Sequence, residues 1–214
     1  MSDLQQQASQ PSRLIASVWL VPLLAGAWLL GERPLQAQVS AASGAQSLGT
    51  IVNGVMGGSC SSGPCTVSGG IEAGTNLFHR MSAFDTRGAI TGVQFANGGQ
   101  SNVIVGVTSP FGTHIDKLVS LSNPGNLLFL SPGGLSLSGA AGFIQTNHLG
   151  LTTANSMALA GGGVFDVFNT PASQAAGLTG NPLLGARNLM VDPAARSAAG
   201  IHGVPGIVAD GINI

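Results

Sequence analysis

Asn102-Val103-Ile104-Val105-Gly106-Val107, followed by Thr108-Ser109-Pro110-Phe111-Gly112, is the stretch on which the fold turns. A short apolar run ends at a corner of Ser, Pro and Gly, and the same form then recurs. Ile115–Leu121 closes at Ser122-Asn123-Pro124-Gly125-Asn126, and Leu127-Leu128-Phe129-Leu130 closes at Ser131-Pro132-Gly133-Gly134. Leu135-Ser136-Leu137-Ser138 alternates strictly and ends at Gly139-Ala140-Ala141-Gly142; Phe143-Ile144-Gln145, Leu149–Thr152 and Met157–Ala160 continue the series. Short apolar runs bounded by Gly, Pro, Asn and Ser are strand signals.

Strands that recur every roughly eight to twelve residues suit an antiparallel sandwich and a parallel β-helix alike. Tight hairpin turns would favour the sandwich. Asn-Gly occurs only at Asn53-Gly54 and Asn97-Gly98, and Asp-Gly only at Asp210-Gly211, so the strands from Val103 to Leu159 are joined by looser corners. Low charge points the same way: in a stack of coils each side chain lies ~4.8 Å from its like. Charged columns repel there, whereas Val, Ile, Ser, Thr and Asn columns satisfy one another. On pattern alone an all-β, single-stranded parallel β-helix is favoured and the antiparallel sandwich stays open. Leu77, Phe78, Phe84, Val103, Val105, Ile115, Leu118, Leu128, Leu130 and Leu135 are expected to point inward.

Composition supports this and excludes other classes. Only 7% of the 214 residues are charged, against roughly 25% in an ordinary soluble domain. Glycine numbers 33, tyrosine is absent and Lys117 is the sole lysine. High hydrophobicity with little net charge is the reverse of a disordered chain. A net charge of −1 gives no electrostatic footprint for nucleic acid, and long amphipathic helices lack the Glu, Lys and Arg they need.

The first 37 residues have the order of a secretory signal. Arg13 precedes the uncharged run Leu14–Gly31, and small residues follow, with cleavage fitting after Ala37 or after Ala41. The competing reading is an uncleaved anchor, since the run of 18 residues is borderline for spanning ~30 Å of hydrocarbon. Export places Cys60 and Cys65 (Cys-Ser-Ser-Gly-Pro-Cys) in an oxidising setting, where two nearby cysteines pair. The alternative is a free, buried pair; no further cysteine exists to build a zinc site.

Ile71-Glu72-Ala73-Gly74-Thr75-Asn76-Leu77-Phe78-His79-Arg80-Met81-Ser82-Ala83-Phe84 closely resembles the opening of the haemagglutination-activity domain. That is the N-terminal secretion domain of filamentous-haemagglutinin-type exoproteins, and the resemblance is strongest to the cyanobacterial ones. Ser101–Ile104, Ile115–Val119 and Asn126–Leu135 resemble that family's later strands, so the likeness spans residues 45 to 168 in order. This resemblance decides for the β-helix and implies a right-handed, pectin-lyase-like one capped at its N-terminal end. It also implies recognition by an outer-membrane two-partner secretion transporter and an adhesin-like role. The recognition residues by this likeness are Asn76, Leu77, Phe78, His79, Asn126, Leu127, Phe129, Ser131, Pro132, Gly133 and Gly134. The chain departs from the family at Ser131 and Gly133, where the motif has asparagines.

Chemistry-bearing residues are sparse. His79, His114, His148 and His202 are not at metal-ligand spacing, and His79 is expected to fill a structural slot. Glu72, Asp85, Asp116, Asp166, Asp192 and Asp210 are scattered, and GxSxG, HExxH and GxGxxG are absent. No catalytic residue, metal or cofactor is expected. The expected product is a secreted, non-enzymatic exoprotein acting on a host or neighbouring cell surface or on extracellular matrix. The alternatives are a β-helix carbohydrate-active enzyme, recognisable by Asp, Arg or His lining one groove, and a membrane-anchored structural protein. Three segments result: a signal peptide at 1–37, a β-helix domain at 38–168, and a linker with an incomplete β region at 169–214. Asn169–Gly177 reads as loose, and strand signals resume at Leu184–Val191 and Ile207–Ile214, the profile of a front end of something longer.

Overall fold

The computed structural model describes residues 37–138 and 140–183 and the backbone of 206–210. The signal-like segment before residue 37 and the expected strand Leu184–Val191 lie outside the described residues. Short strands come first: β1 (Val39–Ala41), β2 (Thr50–Val52), β3 (Val55–Met56), β4 (Ser59–Cys60), β5 (Gly63–Gly69) and β6 (Ile71–Ala73). The coils follow as β7 (Asn76–Asp85), β8 (Ile90–Phe95), β9 (Asn102–Val107), β10 (Thr113–Ile115), β11 (Leu118–Leu130), β12 (Leu135–Leu137) and β13 (Gly142–Thr152). An excursion carries β14 (Ser156–Ala158), β15 (Val164–Asp166) and α1 (Ala172–Ala175), and β16 is Gly206–Asp210.

Pairing makes this a parallel β-solenoid of about 4 turns. The coils build three stacks. The first stack is β5, β8 and the leading parts of β11 and β13. The second is the leading part of β7, then β9, the trailing parts of β11 and β13, and β16. The third is the end of β7, β10 and β12. The long strands β7, β11 and β13 each turn a corner and serve two stacks. Antiparallel pairing is confined to the beginning and to the excursion: β2 covers β5, while β1 and β6 cover β7. The unpaired edge of a first coil is an aggregation template, and these strands occupy it. Cys60 and Cys65 form a disulfide that ties β4 to β5.

Period-two alternation sends alternate side chains to opposite sides of each stack. Leu77, Met81, Phe84, Val103, Val105, Ile115, Leu127, Phe129 and Leu135 fill the interior. Phe84, Phe95 and Phe129 meet there, with ring centroids 5.0–6.2 Å apart. Four of the expected inward residues do otherwise. Phe78, Leu128 and Leu130 are buried in a second apolar layer on the outer side of the second stack. Leu118 is 49% exposed, because Val119 and Leu121 take the inward positions of that strand.

The outer layer is completed by the excursion. Met157, Leu159, Phe165, Val167, Ala175 and Leu178 pack on Phe78, Ile104, Leu128 and Leu130, with the Phe78 and Phe165 rings 5.0 Å apart. A Cβ on Gly106 would lie 3.2 Å from the Phe165 ring, so the glycine lets that ring close down on the sheet. Within 169–183, which the sequence reads as a loose linker, Thr170, Ala175 and Leu178 are buried while most of the other residues are exposed. Apolar character on both sides of the second stack is what made its strands near-continuous hydrophobic runs.

Candidate functional site

The Asn76 and Asn126 blocks lie in the second stack, one on either side of β9. Parallel register places Asn76 beside Asn102, Asn102 beside Asn126, and Asn126 beside His148. Their side chains form one directed chain of hydrogen bonds. His148 Nδ1 lies 3.0 Å from Asn126 Oδ1, Asn126 Nδ2 donates to Asn102 Oδ1 at 2.8 Å, and Asn102 Nδ2 donates to Asn76 Oδ1 at 2.9 Å. Asn76 Nδ2 ends the chain on the carbonyls of Leu178 and Gly180, both at 2.8 Å. An amide oxygen only accepts, so in this chain of bonds His148 Nδ1 is the donor. Steps of 26, 24 and 22 residues separate the members of the ladder, which are the coil lengths.

Most of the expected recognition residues are inside. Asn76, Leu77, Phe78, His79, Leu127, Phe129 and Ser131 are buried; Asn126, Pro132 and Gly134 are half-buried and Gly133 is exposed. The folded coil thus does not present a face made of Asn76–His79. His79 makes one side-chain hydrogen bond, Nδ1 to Thr50 Oγ1 at 3.3 Å, and its Nε2 has no hydrogen-bond partner among the described residues. Burial pushes its pKa down to about 3, so the ring is neutral. Ser131 donates to the Gly134 carbonyl and accepts from Thr113 Oγ1, closing its corner. At Gly133 the coil below leaves no room: a Cβ would meet the Ser109 carbonyl and lie 2.7 Å from Gly112 N. This close approach leaves room for glycine but not for a larger side chain.

Arg80 is a structural residue that the sequence did not reveal. It is buried, and its guanidinium donates to the carbonyls of Gln46 (3.1 Å), Asp166 (3.1 Å) and Thr170 (2.7 Å) while lying 6.0 Å from the Phe165 centroid. Burial lowers its pKa, with the Asp166 charge opposing. It joins the N-terminal strands to the excursion.

Charged side chains gather instead on the third stack. Register places Asp85 beside His114 and His114 beside Ser136. Just past the ends of these strands come Arg87, Asp116 and Ser138. Arg87 grips both oxygens of Asp85, at 2.6 to 3.1 Å. Lys117 Nζ lies 3.0 Å from Asp116 Oδ2, the Ser138 hydroxyl donates to Asp116 Oδ1, and His114 Nδ1 lies 2.6 Å from Ser136 Oγ. Burial raises the Asp85 carboxyl, but the hydrogen bonds and charge of Arg87 outweigh it and hold the pKa below the usual range. Ser138 and Lys117 hold Asp116 low as well. A groove of about 370 Å³ runs over Arg87, His114, Asp116, Ser136 and Ser138, and a second of about 230 Å³ joins it at Arg87 and His114 and reaches Phe111. The signal that would have found this cluster is the coil length itself: His114 to Ser136 and Asp116 to Ser138 are both 22 residues.

What fold and sites define together is a β-solenoid with a polar ladder on one stack and a charged groove on another. The sequence matches no protein-family model and no curated protein.

Proposed function

We propose that this is an exported, non-enzymatic exoprotein of the filamentous-haemagglutinin type, secreted through an outer-membrane two-partner secretion transporter and acting at a cell surface or matrix. The observation that carries the reading is the ladder. The Asn76 block and the Asn126 block, which hold the family likeness, occupy equivalent places two coils apart in one parallel stack. Because Asn76–His79 are buried in the coil, the transporter reads them in the extended chain, before the coils close. Folding outside the membrane then withdraws the signal into the core. Cleavage after Ala37 suits this product, since β1 stays; cleavage after Ala41 removes it, including the fully buried Val39.

Co-expression with a partner pore tests the reading. The chain should reach the medium only when the pore is present, and Asn126→Ala should strand it in the periplasm. Equal distribution with and without the pore would sink the proposal.

The third-stack groove gives the carbohydrate-active enzyme a specific observation in its favour, because Arg87, His114 and Asp116 line it. Glycoside hydrolysis needs one carboxyl held protonated beside an ionised one. Both carboxyls here are pulled the other way by cations and hydroxyls, which favours binding over catalysis.

A further inference from the structure

We propose that the third stack binds a neutral saccharide chain, along the groove from Phe111 past His114 to Ser138. Asp85, His114 and Ser136 share one register column, which steps by ~4.8 Å from coil to coil. Arg87, Asp116 and Ser138 follow just past the ends of those strands and line the same groove as His114 and Ser136. Each group is already tied to a neighbour, so little side-chain freedom is lost when a ligand arrives. Donors remain for it: Arg87 Nη1 and His114 Nε2 have no hydrogen-bond partner among the described residues, and paired carboxylates keep spare lone pairs.

Charge and shape choose the ligand class. Asp85 pairs with Arg87 and Asp116 with Lys117, so the cluster carries no net charge and no field to gather a polyanion. A ligand rich in hydroxyls, which both donate and accept, matches fixed carboxylate and guanidinium partners. Phe111 completes the site. It is 63% exposed and lines the same groove as Asp85, Arg87 and His114, offering a flat ring face to the C–H face of a sugar. An open groove of a few hundred cubic ångströms suits a chain lying along it better than an enclosed small molecule.

Binding is independent of the export route, which the secretion assay decides separately. Titration calorimetry with the full chain would use hexamers of α-1,4-glucose, β-1,4-glucose and β-1,4-N-acetylglucosamine, with oligogalacturonate as the acidic comparison. At least one neutral hexamer should bind. Phe111→Ala and Asp116→Asn should each weaken it at least tenfold. Phe111→Ala should leave the melting temperature within a degree or two because that ring is exposed, while Asp116→Asn, which gives up the Lys117 ion pair, should melt somewhat lower but still cooperatively. Leu118→Ala, on another stack, should leave binding unchanged. The proposal falls if no neutral hexamer binds at millimolar concentration, if both groove variants bind normally, or if only oligogalacturonate binds and salt abolishes it. Shortening of a bound hexamer would overturn it in favour of catalysis.

Discussion

His79 shows how a single residue couples this fold to pH. Its ring is buried beside Phe95, with centroids 5.5 Å apart, and is neutral because burial holds its pKa near about 3. The unfolded chain would protonate it with a pKa of roughly 6.5. Below that value the unfolded state takes up a proton that the folded state refuses, so stability falls with pH. The contribution is fully present above pH ~6.5 and is lost at ~1.4 kcal/mol per unit as pH drops toward ~3. At pH 5 the loss is ~2 kcal/mol, read as a lower urea midpoint than at pH 7.5; His79→Leu should shrink that difference. Asp85 and Asp116 act only at lower pH, where their depressed pKa values make the unfolded chain the better proton acceptor. Gly133 offers a second test at this scale. Installing an asparagine there, Gly133→Asn, should cost ~1–3 kcal/mol by overpacking against the Ser109–Gly112 corner, seen as a shifted denaturation midpoint. A wild-type midpoint would mean that the stacked corner yields.

Elements are held together here by contacts between segments far apart in sequence. The excursion of β14, β15 and α1 makes few hydrogen bonds to the coils and sits on them through Phe165, Val167, Leu159 and Leu178, with Arg80 donating across the seam. Phe165→Ala should therefore cost ~3–5 kcal/mol, comparable to Phe78→Ala, its partner across the interface. Hydrogen exchange should locate the damage, with Leu159 and Val167 amides exchanging fast while Val105 and Phe129 stay protected. Uniform loss of protection would mean that the coils and the excursion unfold as one. This interface also marks the boundary of what the sequence discloses. The strands of the coils are legible because apolar runs and Ser-Pro-Gly corners are local signals. Which side of a strand faces the interior is not, since Phe78, Leu128 and Leu130 are as apolar as their inward neighbours and differ only in having the excursion outside them. The charged groove escapes notice for a related reason: its members lie a coil apart, and coil lengths of 26, 24 and 22 residues blur any fixed period.

At the scale of the whole molecule, a stack of parallel coils must end somewhere, and its first coil is closed by antiparallel strands. β1 carries much of that closure. Val39 is fully buried beside Phe84, the Ala42 amide donates to the Arg80 carbonyl at 2.9 Å, and the Asp85 amide donates to the Gln38 carbonyl at 2.9 Å. A chain beginning at Gln38 keeps all of these contacts; one beginning at Ala42 loses β1 and bares the edge of β7. Removing Val39 from the core costs ~1.5–3 kcal/mol in apolar burial alone, and the freed amides and carbonyls are left to pair with another chain. The two chains should therefore differ in association as well as in stability. The longer should elute as a monomer at micromolar concentration, while the shorter should melt at lower temperature and form dimers or larger species that light scattering detects. If both are monomeric with equal melting temperatures, β2 and β6 suffice to close the first coil, and cleavage after Ala41 would be structurally as acceptable as cleavage after Ala37.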